Sequence, residues 1–170
     1  GEHINKDKMI PLPRYDFATE QFINAKWDDK VATAISSSKL SELAAKVTQK
    51  PEDQDFKLHP TVAKLIDSRV AMAEGKQPID FGMAETLAYA AILDDGISVR
   101  ISGEDAGRGT FSHRHATWHN MNRKQLSEGI YVSLKNTQNK SWFAVYDSIL
   151  NEEGVLGFEY GYSLENVHNL

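Results

Sequence analysis

Cysteine is absent from this sequence. That excludes disulfides, iron–sulfur clusters, thiolate zinc sites and cysteine nucleophiles, and it fits a reducing compartment. Long apolar runs are missing as well. The apolar stretches are short and broken by charge, far from the roughly 20 residues of a membrane span, so no membrane partner is expected. Clustered basic charge is also lacking. With 19 Lys and Arg against 24 Asp and Glu, a net charge of −5 and a pI near 5.7, the chain offers no concentrated basic face to a nucleic-acid backbone. The opening Gly1-Glu2-His3-Ile4-Asn5-Lys6 has neither a basic n-region nor an apolar h-region, so no export signal is read there.

What remains, at 170 residues with 41% hydrophobic and 25% charged, suits one domain with a real core. The first 35 or so residues mix Pro11, Pro13 and scattered aromatics without periodicity, and read as extended structure needing a partner surface. Leu40, Leu43, Ala44 and Val47 recur at helical spacing, predicting a short helix over 39–49 that Pro51 closes. Pro60 opens a stronger helix whose Val62, Leu65, Ile66, Arg69, Val70 and Ala73 form one stripe up to Gly75. Residues 83–93, rich in alanine, predict a buried helix stopped by Asp94-Asp95-Gly96. A strand is expected over 97–101, running into a loop of the kind that carries function in open α/β sheets. The stretch 120–141 reads as a surface excursion with Ile130-Tyr131-Val132 extended. Residues 143–150 supply a second strand, and Asn151 caps a helix from Glu152 to about Ser163. The fold class is therefore α/β, an incomplete parallel sheet flanked by helices, with residues 1–55 a helical and extended linker and 56–170 the domain proper.

Chemistry concentrates after the first strand. Glu104, Asp105 and Arg108 stand among Gly103, Gly107 and Gly109, where backbone can approach an anion and Arg108 can grip a carboxylate or phosphate at two points. The spacing matches neither the phosphate loop nor the dinucleotide fingerprint, and a solvated turn is the plain alternative. His113, Arg114, His115 and His119 follow, and in an extended segment His113 and His115 would face one side. Three readings stay open for them: a metal site, an anionic-substrate pocket with histidines as donors or proton shuttles, or histidines capping a helix. In the last helix Gly154, Gly157 and Gly161 share a face. Each costs roughly 0.8–1 kcal/mol against alanine, so a helix or ligand is expected to come close there. Glu152, in the first turn, would sit at the mouth of the site or serve only the helix dipole. Glu159 is either a buried polar residue or a salt-bridge partner.

The string from Gly103 to Ala116, GEDAGRGTFSHRHA, resembles the signature loop of the thiamine-diphosphate-dependent decarboxylating subunits of 2-oxoglutarate dehydrogenases. Gly82 to Ala90 before it and Asp147 to Tyr162 after it resemble the same family, in the same order. The resemblance is strong over residues 78–165. It implies that 56–170 is the N-terminal part of a transketolase-like pyrimidine-binding domain, that the family's diphosphate-binding and C-terminal domains lie outside this sequence, and that the piece by itself is inactive.

The same resemblance implies oxidative decarboxylation of 2-oxoglutarate with succinyl transfer to a lipoyl domain, in a homodimer partnered by a lipoyl-bearing succinyltransferase component. Thiamine diphosphate and magnesium are the implied cofactors. The family's Gly-Asp-Gly magnesium motif is not in this sequence, so no metal ligand is assigned. Glu152 matches the catalytic glutamate that hydrogen-bonds the aminopyrimidine and is thus also the cofactor-binding residue. His113 and His115 match the active-site histidines, and these two with Arg108 are the implied substrate contacts, His115 foremost. His113 favours 2-oxoglutarate over 2-oxoadipate, and the setting implied is the bacterial cytoplasm ahead of the mitochondrial matrix. Two alternatives remain, a 2-oxoadipate-type dehydrogenase subunit and a non-catalytic module that binds an acidic ligand.

Overall fold

The structure of the chain is a computed structural model describing residues 26–125, 127–137 and 140–165. Most of the extended segment expected over the first 35 residues lies outside these. The chain divides into a unit of residues 1–30 and a unit of residues 31–170. Within the first, the amide of Lys26 donates to Asp29 Oδ2 at 2.8 Å in a short turn.

The second unit begins with α1 (Ser37–Val47), capped by the Ser36 hydroxyl accepting from the Lys39 amide. Helix α2 (Pro60–Ala73) has Pro60 in its first turn, where a missing amide costs nothing, and the His59 ring as its cap. Helix α3 (Phe81–Asp94) starts on Asp80, which accepts from the Met83 amide at 2.7 Å. Then come β1 (Val99–Gly103), β2 (Trp118–His119), β3 (Ile130–Tyr131), a 3₁₀ turn (Ser133–Thr137), β4 (Phe143–Asp147) and α4 (Glu152–Glu165). Asn151 caps α4 as expected, its side chain accepting from the Gly154 amide at 2.9 Å.

The α/β expectation holds. Strand β1 pairs in parallel with β4, Val99 opposite Phe143 through Gly103 opposite Asp147. The strands differ from the expected spans in one useful way: β1 runs on to Gly103, while β4 stops at Asp147. Ser148 ends the second strand because its amide donates to Gly103 O and its hydroxyl accepts from the Leu150 amide. A second, antiparallel pair, β2 with β3, was not expected.

Leu43, Ala44 and Val47 of α1 join Met83, Leu87, Ala90 and Leu93 of α3, Val99 and Phe143 in one core. Helix α1 lies inside the 1–55 segment read as linker, yet these three residues are buried in that core. Leu134 of the 3₁₀ turn is only 2% exposed, so the polar stretch 120–141 is not wholly a surface excursion. It threads one apolar anchor beneath α1 and α3. Each such buried aliphatic side chain contributes about 1.5–3 kcal/mol. The outcome for function is geometric: the C-terminal ends of β1 and β4 lie side by side, and both chemistry-bearing segments leave from them.

Candidate functional site

From the end of β1 the chain enters a loop fixed by side chains from two helices. Arg69 of α2 is 3% exposed, and its Nη2 donates to His113 O at 2.7 Å and Arg114 O at 2.8 Å. Arg114 in turn reaches Glu85 of α3, at 2.7 Å from Nη2 and 3.2 Å from Nε, and donates to Ala106 O at 2.8 Å. Burial pushes the Glu85 carboxyl up, but the hydrogen bonds and charge of Arg114, with the Tyr89 hydroxyl and His113, outweigh it and hold Glu85 below the usual carboxylate range. The loop is tied to β4 as well, since the Gly107 amide donates to Asp147 Oδ1 at 2.9 Å.

The backbone explains why His113 and His115 do not share a side. Asp105, Ser112 and His115 all adopt positive φ, at 54°, 55° and 44°, so the segment is turned where an extended chain was assumed. Arg114 N and His115 N both donate to Arg108 O at 3.0 Å, and Ala116 N donates to Gly107 O at 2.8 Å. His113 lies over Gly109, which has φ 82° and where an added Cβ would stand 2.6 Å from the imidazole Cε1. Its Nε2 is 3.6 Å from Glu85, and its Nδ1 is buried without a hydrogen-bond partner.

His115 and Arg108 instead line a cleft of about 760 Å³ together with His59, His119, Arg123 and Lys135, with Asp147 among its walls. Burial first, then the charges of Arg69, Arg108 and His113, push the His115 imidazole below its usual value. His119 is lowered by burial and by Arg123, against the opposing pull of Asp147. His115 and His119 are thus both shifted toward their neutral forms on the wall of a cleft that also carries Arg and Lys side chains. Arg108 is half-exposed and paired with Asp105 at 2.5 Å, which holds it over the turn that was one of its readings while leaving it on the cleft wall.

Glu152 stands apart. It is exposed at the first turn of α4, outside the cleft, and its carboxylate takes no hydrogen bond from the described residues. Among the described residues helix α4 is tied to β1 by a strut at Arg100, which donates to Glu159 at 2.7 and 3.2 Å and stacks 3.7 Å from the Tyr162 ring centroid, while the Ser102 hydroxyl donates to Glu159 at 2.5 Å. Glu159 is thus the salt-bridge partner of its two readings. The expected close approach to the glycine face is not made by the described residues at Gly157 or Gly161, where an added Cβ would meet nothing within 4 Å.

These strand ends, loops and helix are matched by the family described as the transketolase, pyrimidine-binding domain, over residues 77–170. The chain belongs to the transketolase pyrimidine-binding domain family. It is 50% identical over 166 residues to the 2-oxoglutarate dehydrogenase E1 component of Cupriavidus necator, covering 96% of this chain and 17% of that protein. The proteins of the same name from Haemophilus influenzae and Azotobacter vinelandii are 46% identical over 145 residues and 41% over 166, covering 84% and 96% of this chain. The chain spans only 15% and 17% of those two relatives' lengths.

The Glu152 carboxylate, exposed at the helix start and without a hydrogen bond from the described residues, is open to a pyrimidine ring. Magnesium does not fit. Among the described residues no group of three or more His, Cys, Asp or Glu side chains could hold a metal, so the metal reading of His113, His115 and His119 finds no geometry. The residues missed from sequence are those that hold the loop: Arg69, Glu85 and Asp147. A signal existed for two of them. Arg69 interrupts an apolar helical stripe and Glu85 an alanine-rich buried helix, and a charge in such a place needs a partner.

Proposed function

We propose that this chain is the pyrimidine-side part of a 2-oxoglutarate dehydrogenase decarboxylating subunit, which cleaves carbon dioxide from 2-oxoglutarate and passes a succinyl group to a lipoyl-bearing partner. The observation that supports it best is the adjacency of two segments at the parallel strand ends, the histidine loop after β1 and Glu152 after β4. Similarity to proteins named 2-oxoglutarate dehydrogenase E1 component supplies the substrate. Thiamine diphosphate, when bound, supplies the electron sink for the carbon–carbon cleavage.

In this reading Glu152 holds the aminopyrimidine through its carboxylate and carries a proton at that atom. Arg108 supplies the positive charge that an anionic 2-oxo acid requires. His115, shifted toward its neutral form by burial and its cationic neighbours, can give or take a hydrogen bond and exchange a proton with the substrate. His113, beside Glu85, is the residue on which the preference for 2-oxoglutarate over 2-oxoadipate rests. The diphosphate and magnesium are held by a domain outside this sequence. The open glycine face of α4, with Leu156 71% and Tyr160 67% exposed, supports a homodimer that covers it. The bacterial sources of the relatives support the cytoplasm as its setting.

Turnover by the full-length protein with thiamine diphosphate and magnesium, on 2-oxoglutarate, 2-oxoadipate and pyruvate, tests the reading. A clear preference for 2-oxoglutarate is expected. Preference for 2-oxoadipate would reassign the substrate, and binding of dicarboxylates without turnover of any of the three would make the cleft an acidic-ligand module.

A further inference from the structure

The histidine loop belongs to the pyrimidine-binding match, but the residue most buried beneath it does not. Arg69 lies on α2, before the matched region of 77–170 begins. It is 3% exposed, an unusual place for a guanidinium, and among the described residues it forms no ion-pair contact with a carboxylate, only the longer-range pull of Asp80 and Glu85. Its hydrogen bonds go to two successive backbone carbonyls, His113 O at 2.7 Å and Arg114 O at 2.8 Å. The next residue is His115, whose backbone sits at φ 44°, a conformation that a non-glycine residue holds only when its surroundings impose it. Gly82 of α3 packs against the same His113 carbonyl so closely that a Cβ there would collide with it. The peptides before His115 are thus fixed from below, and the His115 imidazole emerges on the wall of the cleft.

We propose that Arg69 is a positioning residue for His115, setting the loop backbone from α2 so that the imidazole faces the cleft. The inference rests on the reading that His115 works on the 2-oxo acid. Arg69 does not line the cleft and touches no substrate. A backbone carbonyl pair is met best by a planar guanidinium nitrogen whose two hydrogens diverge in one plane. Lysine keeps the charge but ends nearer its own backbone with tetrahedral donors, and methionine keeps only the bulk.

The two roles separate by pH. The groups facing His115 are Arg69 from α2, Arg108 and His113 in the loop, and His59, His119, Arg123, Lys135 and Asp147 around the cleft. Arg69 is one of the charges that keep the imidazole neutral, so its removal moves the acidic limb of the kcat/KM profile to higher pH.

The test compares full-length protein with R69K, R69M and H115A. For R69M we expect turnover to fall at least tenfold, with the acidic limb moved up and cofactor affinity within about threefold of the parent. For R69K we expect an intermediate loss, an acidic limb in the parent's place, and faster amide hydrogen exchange across residues 113–116. A folded R69M with parental rate and limb would overturn the proposal. So would an R69K with parental rate and a fully protected loop, which keeps the test valid if R69M does not fold. If H115A itself turns over normally, the assignment of His115 fails, whereas a crippled H115A beside normal Arg69 variants removes only the role given to Arg69.

Discussion

The histidine loop and helix α4 leave neighbouring strand ends, yet they are built on opposite plans. The loop is buried support. Arg69 and Glu85 hold it from below, Asp147 from the side, and Gly82 and Gly109 permit contacts that any side chain would block. Among the described residues helix α4 is largely uncovered, with Ile149 just before it fully exposed and the Arg100–Glu159 strut joining it to the sheet. Among the described residues the surroundings of His115 are built from several elements, and the Glu152 carboxylate stays open. A preformed loop and an unfinished helix face are what a site shared between two surfaces requires.

The largest expected effect falls on the bare side. Glu152→Gln in the full-length protein should lower turnover of 2-oxoglutarate by about 10²–10⁴ with no change in melting temperature, because no described residue depends on its carboxylate for a hydrogen bond. A marked loss of stability would show that Glu152 is structural and would erase the contrast. His115→Ala should cost turnover by roughly 10²-fold and thiamine diphosphate affinity far less, measured by calorimetric titration. An affinity loss as large as the rate loss would put the loop on the cofactor side.

On the supported side, the expected effects are on stability. Gly109→Ala places a Cβ against His113 at φ 82° and should cost about 1–3 kcal/mol in denaturant unfolding. No change there would mean the loop is less constrained than its geometry says.

The smallest effect belongs to the strut. Hydrogen bonding from Arg100 first, then from Ser102, together with the charge of Arg100, holds the Glu159 carboxyl below its usual range although partial burial pushes it up. A carboxyl lowered on folding contributes its stabilisation above the unfolded pKa, about 4.3, and loses it as pH falls through the lower folded value. With Glu159 one-third exposed, screening limits this to about 1 kcal/mol or less. Glu159→Gln should therefore lower the melting temperature slightly at neutral pH, and the gap should close in acid as the pH falls through the lowered folded value. A gap that persists in acid would show that α4 is held by packing and not by charge.

Much of this was legible in the residues. Periodicity gave α1 through α4 within a few positions, Asp94-Asp95-Gly96 and Asn151 marked a stop and a start correctly, and the motifs around 82–90, 103–116 and 147–162 carried the family. The strand pair β2–β3 was not legible, because two residues on each side leave no alternation to read. Nor were the separate environments of His113 and His115. Composition shows that the two histidines are close in sequence, but only the positive φ values at Ser112 and His115 send them apart.

The sequence by itself determined the elements, their order and the chemistry available at the ends of β1 and β4, since spacing, caps and glycines act locally. Tertiary structure alone decided which groups meet. Arg69 and His113 are 44 residues apart, as are Arg100 and Glu159 by 59, and no local rule links such pairs. Burial then acted on the meeting: it forced Arg69 onto two carbonyls, pushed His115 toward its neutral form, and left the Glu152 carboxylate exposed to whatever surface completes the site.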